Sequence, residues 1–240
     1  MASPIQRLAK LSYKIFGGQS NDMMTKETLK PLISALNEIK AMDLQFDPVE
    51  VIERDEVLRT HGDVAPVTFM SIHQSQHFTM AVFIVKAGGF LPLHDHPGMF
   101  GLLKVISGSV KLTSYTQTDT RPLPQCSPQR PVDLPKNILT VKKNIDTIVT
   151  ESDDCCCLSP LEKNFHKIEA LTDVAAFLDI LAPPYGGERD CNYYKELPIE
   201  SPHHKDVRWL AEVPQPRSYW CDVLKYKGPS LTSINTMNDL

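Results

Sequence analysis

The middle of the sequence alternates between apolar and polar residues with a period of two. From about residue 65 three such runs follow one another, VTFMSIH, FTMAVFIVKAGG and GLLKVISGSVKLTSY, and later runs read ILTVKK, DTIVTES, CCCLSP, FHKIEAL and AAFLDILAP. Side chains of a β-strand alternate between its two faces, so this period is typical of strands. Short strands that recur between turn signals, with no helical runs among them, favour an antiparallel sandwich or barrel. The chain is therefore predicted to belong to the all-β fold class.

A different pattern precedes the strands. Residues 25–44 place apolar side chains three to four positions apart, which predicts a helix in which Pro31 is tolerable only in the first turn. Residues 1–24 form a basic amphipathic segment, which fits either a helix packed on the body or a mitochondrial presequence. We expect the main domain at 25–225, with a surface loop at 117–136 that carries five prolines, and a flexible tail at 226–240.

Composition narrows the class of protein. Hydrophobic residues make up 42% and charged residues 22% of the 240 residues, values that fit a folded globular chain. The formal net charge of -4 lacks the basic excess of nucleic-acid-binding proteins. No apolar stretch approaches the ~18 residues of a membrane-spanning helix. We therefore expect neither nucleic acid nor a membrane as a partner.

The six cysteines are not spaced as a disulfide framework or as a Cys-x-x-Cys zinc site. Cys155, Cys156 and Cys157 are consecutive, and we expect them to be buried strand residues that behave as small hydrophobes. Cys126 stands in the proline-rich loop and is expected to be exposed. Unpaired cysteines fit a reducing compartment, so a cytoplasmic location is predicted, with a mitochondrial or nuclear pool left open.

The segment GGFLPLHDHPGM, residues 88–99, carries two histidines two positions apart. On a strand His94 and His96 would point to the same face, and neutral imidazole is a good ligand for Fe, Zn, Cu or Ni. A third ligand would complete a site with open positions, and His166 in the run NFHKI is our candidate. The other histidines are expected to be solvated surface residues, namely His61, His73, His77, His203 and His204.

These residues also carry a family resemblance. The spacing Gly88-x5-His94-x-His96 resembles the first cupin motif, and the region of His166 resembles the second. The usual glutamate of the first motif is missing, because its slots hold Phe100 and Gly101. A cupin with three histidines is similar to thiol dioxygenases. More specifically, PLHDHPGM, GLLKVISG, FLDILAPPY and RDCNYY resemble the family of 2-aminoethanethiol (cysteamine) dioxygenase and plant cysteine oxidases over residues 29–225.

The resemblance implies an antiparallel cupin barrel, also called a double-stranded β-helix or jelly roll, with an N-terminal helical prefix. It implies a monomer that holds one Fe(2+) through His94, His96 and His166, with O2 as co-substrate. The implied reactions convert cysteamine to hypotaurine and N-terminal cysteine of proteins or peptides to cysteine sulfinic acid. The second reaction would make the enzyme an oxygen sensor acting through N-degron-dependent degradation.

Four more residues have candidate roles near the iron. Asp179 is a carboxylate within an apolar run, so it is either a catalytic residue that accepts the substrate amine or a structural group near a turn. Tyr185 is either a second catalytic residue that donates its hydroxyl to substrate or bound oxygen, or an ordinary packed tyrosine. Cys191 and Tyr193 are the candidates for the covalent Cys-Tyr crosslink that some thiol dioxygenases contain.

Two alternative functions remain open from the sequence. The barrel could be a non-catalytic metal-binding cupin or a partner-binding module, and stoichiometric zinc without activity would favour that hypothesis. The same three histidines could also oxidise a substrate that is not a thiol, which a substrate panel would reveal.

Overall fold

Three α-helices and twelve strands make up the regular structure of the described residues. The computed structural model describes residues 2–18, 24–119, 137–187, 189–199 and 204–231. The helices are α1 (Pro4–Phe16), α2 (Lys26–Asn37) and α3 (Pro48–Arg59), with a 3-10 turn at Ala41–Leu44. The strands are β1 (Val67–Gln74), β2 (Thr79–Lys86), β3 (Phe90–His94), β4 (Phe100–Ser107), β5 (Ser109–Gln117), β6 (Ile138–Thr150), β7 (Cys156–Leu158), β8 (Phe165–Ala170), β9 (Val174–Ala182), β10 (Tyr193–Glu196), β11 (Val207–Val213) and β12 (Cys221–Val223).

The strands form two sheets of six. The first sheet has the order β12-β1-β2-β9-β4-β7, and the second has the order β10-β11-β6-β5-β8-β3. The second sheet closes on itself because β10 also pairs with β3, through Tyr193 and His94. Strands β1 and β12 pair in parallel, and the other pairings among the described strands are antiparallel. The predicted all-β cupin barrel with a helical prefix is confirmed.

Strand β9 shows how the first sheet separates two cores. All nine of its residues are buried. Ala176, Leu178 and Ile180 pack towards the helices, whereas Ala175 and Phe177 pack into the barrel, between the sheets. Each fully buried Leu, Ile or Phe side chain contributes roughly 1.5–3 kcal/mol. The period-two alternation that predicted the strand therefore places its side chains in two apolar layers, one on each face of the sheet.

Helix α1 is packed on the body of the protein. Ile5, Leu8 and Phe16 are buried in the core beside the first sheet. The Tyr13 hydroxyl lies 2.8 Å from Nε2 of His73. The helix begins at a capping box, in which the Ser3 hydroxyl accepts from the backbone of the third helical residue. Of the two interpretations of the basic segment, the structure shows the packed helix.

The observed second helix differs from the predicted one in two ways. The observed helix is shorter than 25–44, since α2 ends at Asn37 and a separate 3-10 turn follows. Pro31 is the sixth residue of α2, so the predicted restriction of Pro31 to the first turn is wrong. The carbonyl of Glu27 loses its helical donor there. Both residues are exposed, so water can replace the lost hydrogen bond. Helix α3 was not predicted.

The C-terminal part of the chain contributes strands to both sheets. Asp222 of β12 accepts a 2.5 Å hydrogen bond from Thr68 and pairs with Arg54, which fixes β12 beside β1. Within the predicted flexible tail, residues 226–231 are described, and Leu231 is buried there. Residues 232–240 lie outside the described part, as do residues 120–136 of the predicted proline-rich loop with Cys126. Within the described chain, no helix has the length and apolar character needed to cross a membrane.

Candidate metal centre

Three buried histidines converge inside the barrel. Nε2 of His166 lies 3.0 Å from Nε2 of His96 and 3.2 Å from Nε2 of His94. Their ring centroids are 4.6 to 4.8 Å apart. They form the one group of His, Cys, Asp or Glu side chains in the described residues that is arranged to hold a metal ion. The structure therefore brings together the three residues proposed as ligands from the sequence.

A β-bulge turns His94 into the barrel. On the pairing of β3 with β8, Leu91 stands opposite Ile168 and His94 stands opposite His166, so three steps on β3 match two on β8. On a regular strand, two residues three apart such as Leu91 and His94 would face opposite sides. Leu93 instead packs on the other side of the second sheet. The bulge lets both Leu91 and His94 face the interior.

His96 reaches the same point from outside a strand. Strand β3 ends at His94, so the argument from one strand face does not apply to His96, although the two side chains do converge. The Asn164 side chain holds the His96 backbone instead: its Oδ1 accepts from the His96 N–H at 3.0 Å, and its Nδ2 donates to the His96 carbonyl at 2.8 Å. Because Asn164 lies two residues before His166, it links the two ligand segments directly.

Hydrogen bonds set the tautomers of two ligands. Nδ1 of His94 donates to the Pro92 carbonyl at 2.7 Å. The Tyr185 hydroxyl donates to the Asp95 carbonyl at 2.7 Å, so it accepts from Nδ1 of His96, which is 2.8 Å away. These assignments follow from the hydrogen-bond network. Nε2 of both histidines is thereby left with a lone pair directed at the centre, which is the form a metal ligand requires.

Burial keeps the cluster uncharged. It lowers the pKa of His94 and lowers the pKa of His96 and His166 well below the usual value, with the neighbouring histidines adding to the shift for His96 and His166. Nε2 of His166 lies 3.0 Å from the Nε2 lone pair of His96 and 3.2 Å from that of His94. Two nitrogens about 2.1 Å from a shared ion, at right angles, stand about 3.0 Å apart. The donor set fits a divalent transition metal.

No carboxylate joins the ligand set among the described residues. Phe100 faces the helical side of the first sheet. Gly101 has no space for a side chain, since a Cβ there would lie 2.8 Å from Cγ of Leu158. The Asp95 carboxylate is turned away and accepts from the Asn192 N–H and the Tyr194 hydroxyl, each at 2.9 Å. The centre therefore presents three neutral nitrogen donors.

Asp179 lies across the barrel from the histidines. It stands between Ala81 and Leu103 on the neighbouring strands and lines the same cavity as His166. Burial raises the pKa of Asp179 to about 7. The Ser114 hydroxyl lines this cavity too, and no described residue bonds to it. The cavity thus offers two oxygen acceptors beside the metal site.

The remaining predicted site residues lie at the edge of the centre. Tyr193 stands directly opposite His94, so the two side chains share a face. The Cys191 thiol is within hydrogen-bonding reach of the Tyr185 and Tyr193 hydroxyls, and burial raises the pKa of that thiol. Cys191 precedes β10 rather than sharing its strand face. The contact brings together the two side chains of the predicted crosslink.

The rival histidines do not reach the centre. His61 and His204 are exposed. His73 and His77 are partly buried beside helix α1, so the prediction that they are solvated is wrong for this pair. His203 lies outside the described residues.

Sequence reasoning missed the groups that orient the ligands. Asp95 stands between two predicted ligands and Asn164 lies two residues before the third, and this closeness in sequence was the available signal. Asn192, Tyr194 and Ser114 gave no comparable signal, because their positions depend on pairings between distant strands.

Comparisons with known proteins identify a family and several similar chains. The model of the PCO_ADO family matches residues 35–231. The 2-aminoethanethiol dioxygenase of Mus musculus is 35% identical over 96% of this chain and 97% of its own length. Plant cysteine oxidase 2 of Arabidopsis thaliana is 27% identical over 95% of this chain and 83% of its own length. Among solved structures, KdgF from Halomonas sp. covers 52% of this chain and 86% of its own at 10% identity and a TM-score of 0.35.

The family match covers most of the chain, including the three histidines, Asp179 and the Cys191-Tyr193 pair. The mouse relative extends the similarity over nearly the whole of both chains. The chain therefore belongs to the PCO_ADO family.

Proposed function

We propose that this protein is a non-haem iron thiol dioxygenase. It adds both atoms of O2 to the sulfur of cysteamine, giving hypotaurine, and to the sulfur of N-terminal cysteine in peptides or proteins, giving cysteine sulfinic acid. The observation that carries the proposal is the convergence of three neutral imidazoles without a carboxylate. Family membership supports the thiol as substrate, since the relatives are named as 2-aminoethanethiol dioxygenase and cysteine oxidase.

His94, His96 and His166 would hold one Fe(2+) per chain. When bound, the ion would supply a positive charge that favours the substrate thiolate and a site for activating O2. The protein contributes the orientation of the donors. Pro92 and Tyr185 hold the Nδ1 protons, and Asn164 fixes the backbone of His96. Tyr185 therefore acts as a positioning residue through His96.

Asp179 is proposed to bind the substrate amine. Cysteamine and N-terminal cysteine both carry an amine two carbons from sulfur, and a carboxylate beside the metal site can accept a hydrogen bond from that ammonium. The apolar neighbours of Asp179 exclude water and strengthen this interaction. The amine in turn stabilises the ionised carboxylate, whose pKa burial alone raises to about 7.

Oxygen uptake by the full chain tests the reaction. Iron-loaded protein should consume one O2 for each sulfinate formed from cysteamine or from a Cys-initiated peptide, and isotopically labelled O2 should place both label atoms in the product. His94→Ala should abolish uptake, whereas His77→Ala, which lies beside helix α1, should retain it. Absence of uptake with both thiols, or stoichiometric zinc in a protein that stays inactive after iron reconstitution, would reject the proposal.

A second comparison tests the role of Asp179. In Asp179→Asn the value of kcat/KM for cysteamine should fall about 10- to 100-fold, because a hydrogen bond to a charged group contributes roughly 1.5–3 kcal/mol. A thiol of the same length without an amine should lose much less. Equal losses for both thiols would assign Asp179 a structural role.

The remaining expectations are part of the same proposal. We infer a cytoplasmic monomer, with oxygen sensing as the consequence of N-terminal cysteine oxidation. The described cysteines are unpaired, which fits a reducing compartment. The Cys191-Tyr193 crosslink would appear as a loss of two hydrogens from the tryptic peptide DCNYYK, residues 190–195, after aerobic turnover.

A further inference from the structure

A pair of thiols lies at the start of strand β7, at the edge of the first sheet: Cys155 immediately precedes the strand, and Cys157 is its second residue. The sulfur atoms of Cys155 and Cys157 are 4.0 Å apart. Both contact the helical side of the sheet, whereas Cys156 between them packs into the barrel. All three are partly exposed, so the expectation that they are buried is wrong. A small reagent can therefore reach the pair.

The backbone spacing permits a bond between the two sulfurs. Residues two apart on an extended strand have Cα atoms about 6.6 Å apart. Disulfides accept Cα separations of about 4.4–6.8 Å and prefer about 5.5–6 Å. The extended spacing lies near the upper limit, and a disulfide also requires Cβ atoms about 3.5–4.5 Å apart, so closure of a Cys155-Cys157 bond contracts this segment. The three-residue strand β7 pairs on one side with β4, so the contraction disturbs a short ladder.

The two thiols differ in acidity. The contact between the two thiols and the charges of Lys163 and Lys26 lower the pKa of Cys157, against the opposing effect of burial. The contact and burial raise the pKa of Cys155. The side chain of Asn37 on α2 anchors the start of this segment, since its Oδ1 accepts from the Cys155 N–H at 2.8 Å. Because the two lysines favour a thiolate on Cys157, we assign Cys157 as the nucleophile of the pair and Cys155 as the resolving thiol.

We propose that Cys155 and Cys157 form a redox-active dithiol that reacts with low-molecular-weight disulfides of the glutathione type. The Cys157 thiolate attacks one sulfur of oxidised glutathione, which forms a mixed disulfide and releases one glutathione thiolate. Cys155, losing its proton, then attacks the Cys157 sulfur and releases the second glutathione. The protein loses two electrons and two protons, and one disulfide becomes two thiols. Excess reduced glutathione reverses both steps.

The dithiol is linked to the metal centre through Cys156. This side chain lines the cavity that also contains His166 and Asp179. Contraction of β7 moves the backbone of Cys156, which lies between the two bonded residues, and so reshapes that cavity. Oxidation of the pair therefore changes the space beside the catalytic site.

Thiol labelling of the full chain tests the dithiol without reference to activity. The protein is equilibrated anaerobically with graded ratios of reduced to oxidised glutathione, labelled with N-ethylmaleimide and digested with trypsin. All three cysteines fall in one peptide, residues 144–163. Three labels are expected under reducing conditions and one label, on Cys156, under oxidising conditions, with the change reversed by excess reduced glutathione. The peptides with Cys191 and Cys221 serve as internal references.

Variants separate the possible outcomes. Under oxidising conditions Cys157→Ser should keep two labels, and Cys155→Ser should stop at a mixed disulfide between Cys157 and glutathione with one label on Cys156. Cys156→Ser should form the disulfide and carry no label. Three labels at every glutathione ratio, or a single label on Cys155 or Cys157, would overturn the proposal.

The link to the cavity has a separate test, which rests on the proposed function. After oxidation, the initial rate of cysteamine turnover should fall several-fold in the wild type and remain unchanged in Cys157→Ser, which lacks the proposed nucleophile. Equal turnover before and after oxidation in a wild type that carries the disulfide would overturn the link. A reduced protein that shows no turnover would instead count against the proposed function.

Discussion

The two sheets contribute to the metal centre in different ways. The second sheet supplies His94 and His166 from adjacent strands. Its strand pairing is irregular just before His94 and just after Ser114, and both of these residues pair with His166. The first sheet supplies Asp179 from β9. The pairing of β9 with β2 runs without interruption from Val174 to Leu181.

This difference separates two requirements of the site. Ligands must converge on one point, which a regular strand does not achieve, so bulges and hydrogen bonds direct them. A carboxyl group needs only apolar neighbours to have its pKa raised, and a regular buried strand provides them. We therefore expect substitutions on the second sheet to change metal affinity and substitutions on the first sheet to change charge and substrate preference.

Removal of a ligand from the second sheet should have the largest effect. In His166→Ala metal content should fall from about one ion per chain towards zero, and affinity should drop by more than about 100-fold, the upper end of losses seen for outer partners of ligands. Elemental analysis after dialysis measures the metal content. His73→Ala is the matched control, since His73 bonds Tyr13 outside the centre. Full metal retention in His166→Ala would remove His166 from the ligand set.

Asp179 should make the stability of the metal-free protein depend on pH. Burial raises the pKa of Asp179 from 3.8 to about 7, so the folded chain holds the proton more tightly than the unfolded chain. Stability from this group is therefore present below about pH 4 and is lost as pH rises to about 7. The loss can reach about 4 kcal/mol, since one pKa unit corresponds to about 1.4 kcal/mol.

Asp179→Asn should remove that dependence. Urea unfolding across pH 4 to 8 measures the free energy of unfolding of both proteins. The value for the variant should increase relative to that of the wild type up to about pH 7, and the difference should stay constant above that pH. Parallel curves throughout would mean that the carboxyl group is already ionised in the folded chain at low pH.

Tyr185 should act on the metal through His96. Tyr185→Phe removes the acceptor for Nδ1 of His96, and we expect metal affinity to fall about 10- to 100-fold with the fold retained. Competition with a chelator measures the affinity. Tyr226→Phe is the control, because its hydroxyl bonds the Pro229 carbonyl away from the centre. Unchanged metal affinity with impaired turnover would instead place the Tyr185 hydroxyl at the substrate.

Ser114 should give the smallest effect. Its buried hydroxyl has no hydrogen-bond partner among the described residues, so Ser114→Ala should leave the free energy of unfolding unchanged or raise it by up to about 1 kcal/mol. Thr116→Ala on the same strand should instead lose about 1 kcal/mol, because its hydroxyl accepts from the Lys163 N–H at 2.9 Å. Urea unfolding of both variants makes the comparison. Destabilisation by Ser114→Ala would reveal a partner for that hydroxyl.

The sequence predicted the barrel because its strands carry a local signal. Period-two alternation is visible within each run, and the two apolar layers on either side of β9 preserve it. Helix α3 has no such signal: Val51 is buried, but Val49, Ile52, Val57 and Leu58 are exposed around it. No single apolar stripe identifies that helix. Its position depends on contacts with the first sheet rather than on its own pattern.

The ligands of the centre could be predicted from nearby residues in the sequence, but the contacts that orient them could not. His94 and His96 stand two residues apart, and His166 followed as a third donor of the same type. Asn164 orients His96 across 68 residues of chain, and the bulge in β3 is defined by its pairing with β8. Spacing within one segment contains no information about such pairings, which is why the convergence was predicted but its cause was not.

The bulge makes the two paired segments respond differently to a change in length. Between Leu91 and His94 the chain contains one residue more than the facing strand. Deletion of Pro92 would leave two steps opposite two, so Leu91 and His94 would both still face the interior. Deletion of Lys167 from β8 would instead make His166 and Ile168 adjacent, and adjacent residues face opposite sides of a strand. In a library of single-residue deletions, metal binding should therefore tolerate the loss of Pro92 far better than the loss of Lys167, a difference that alanine scanning would not reveal.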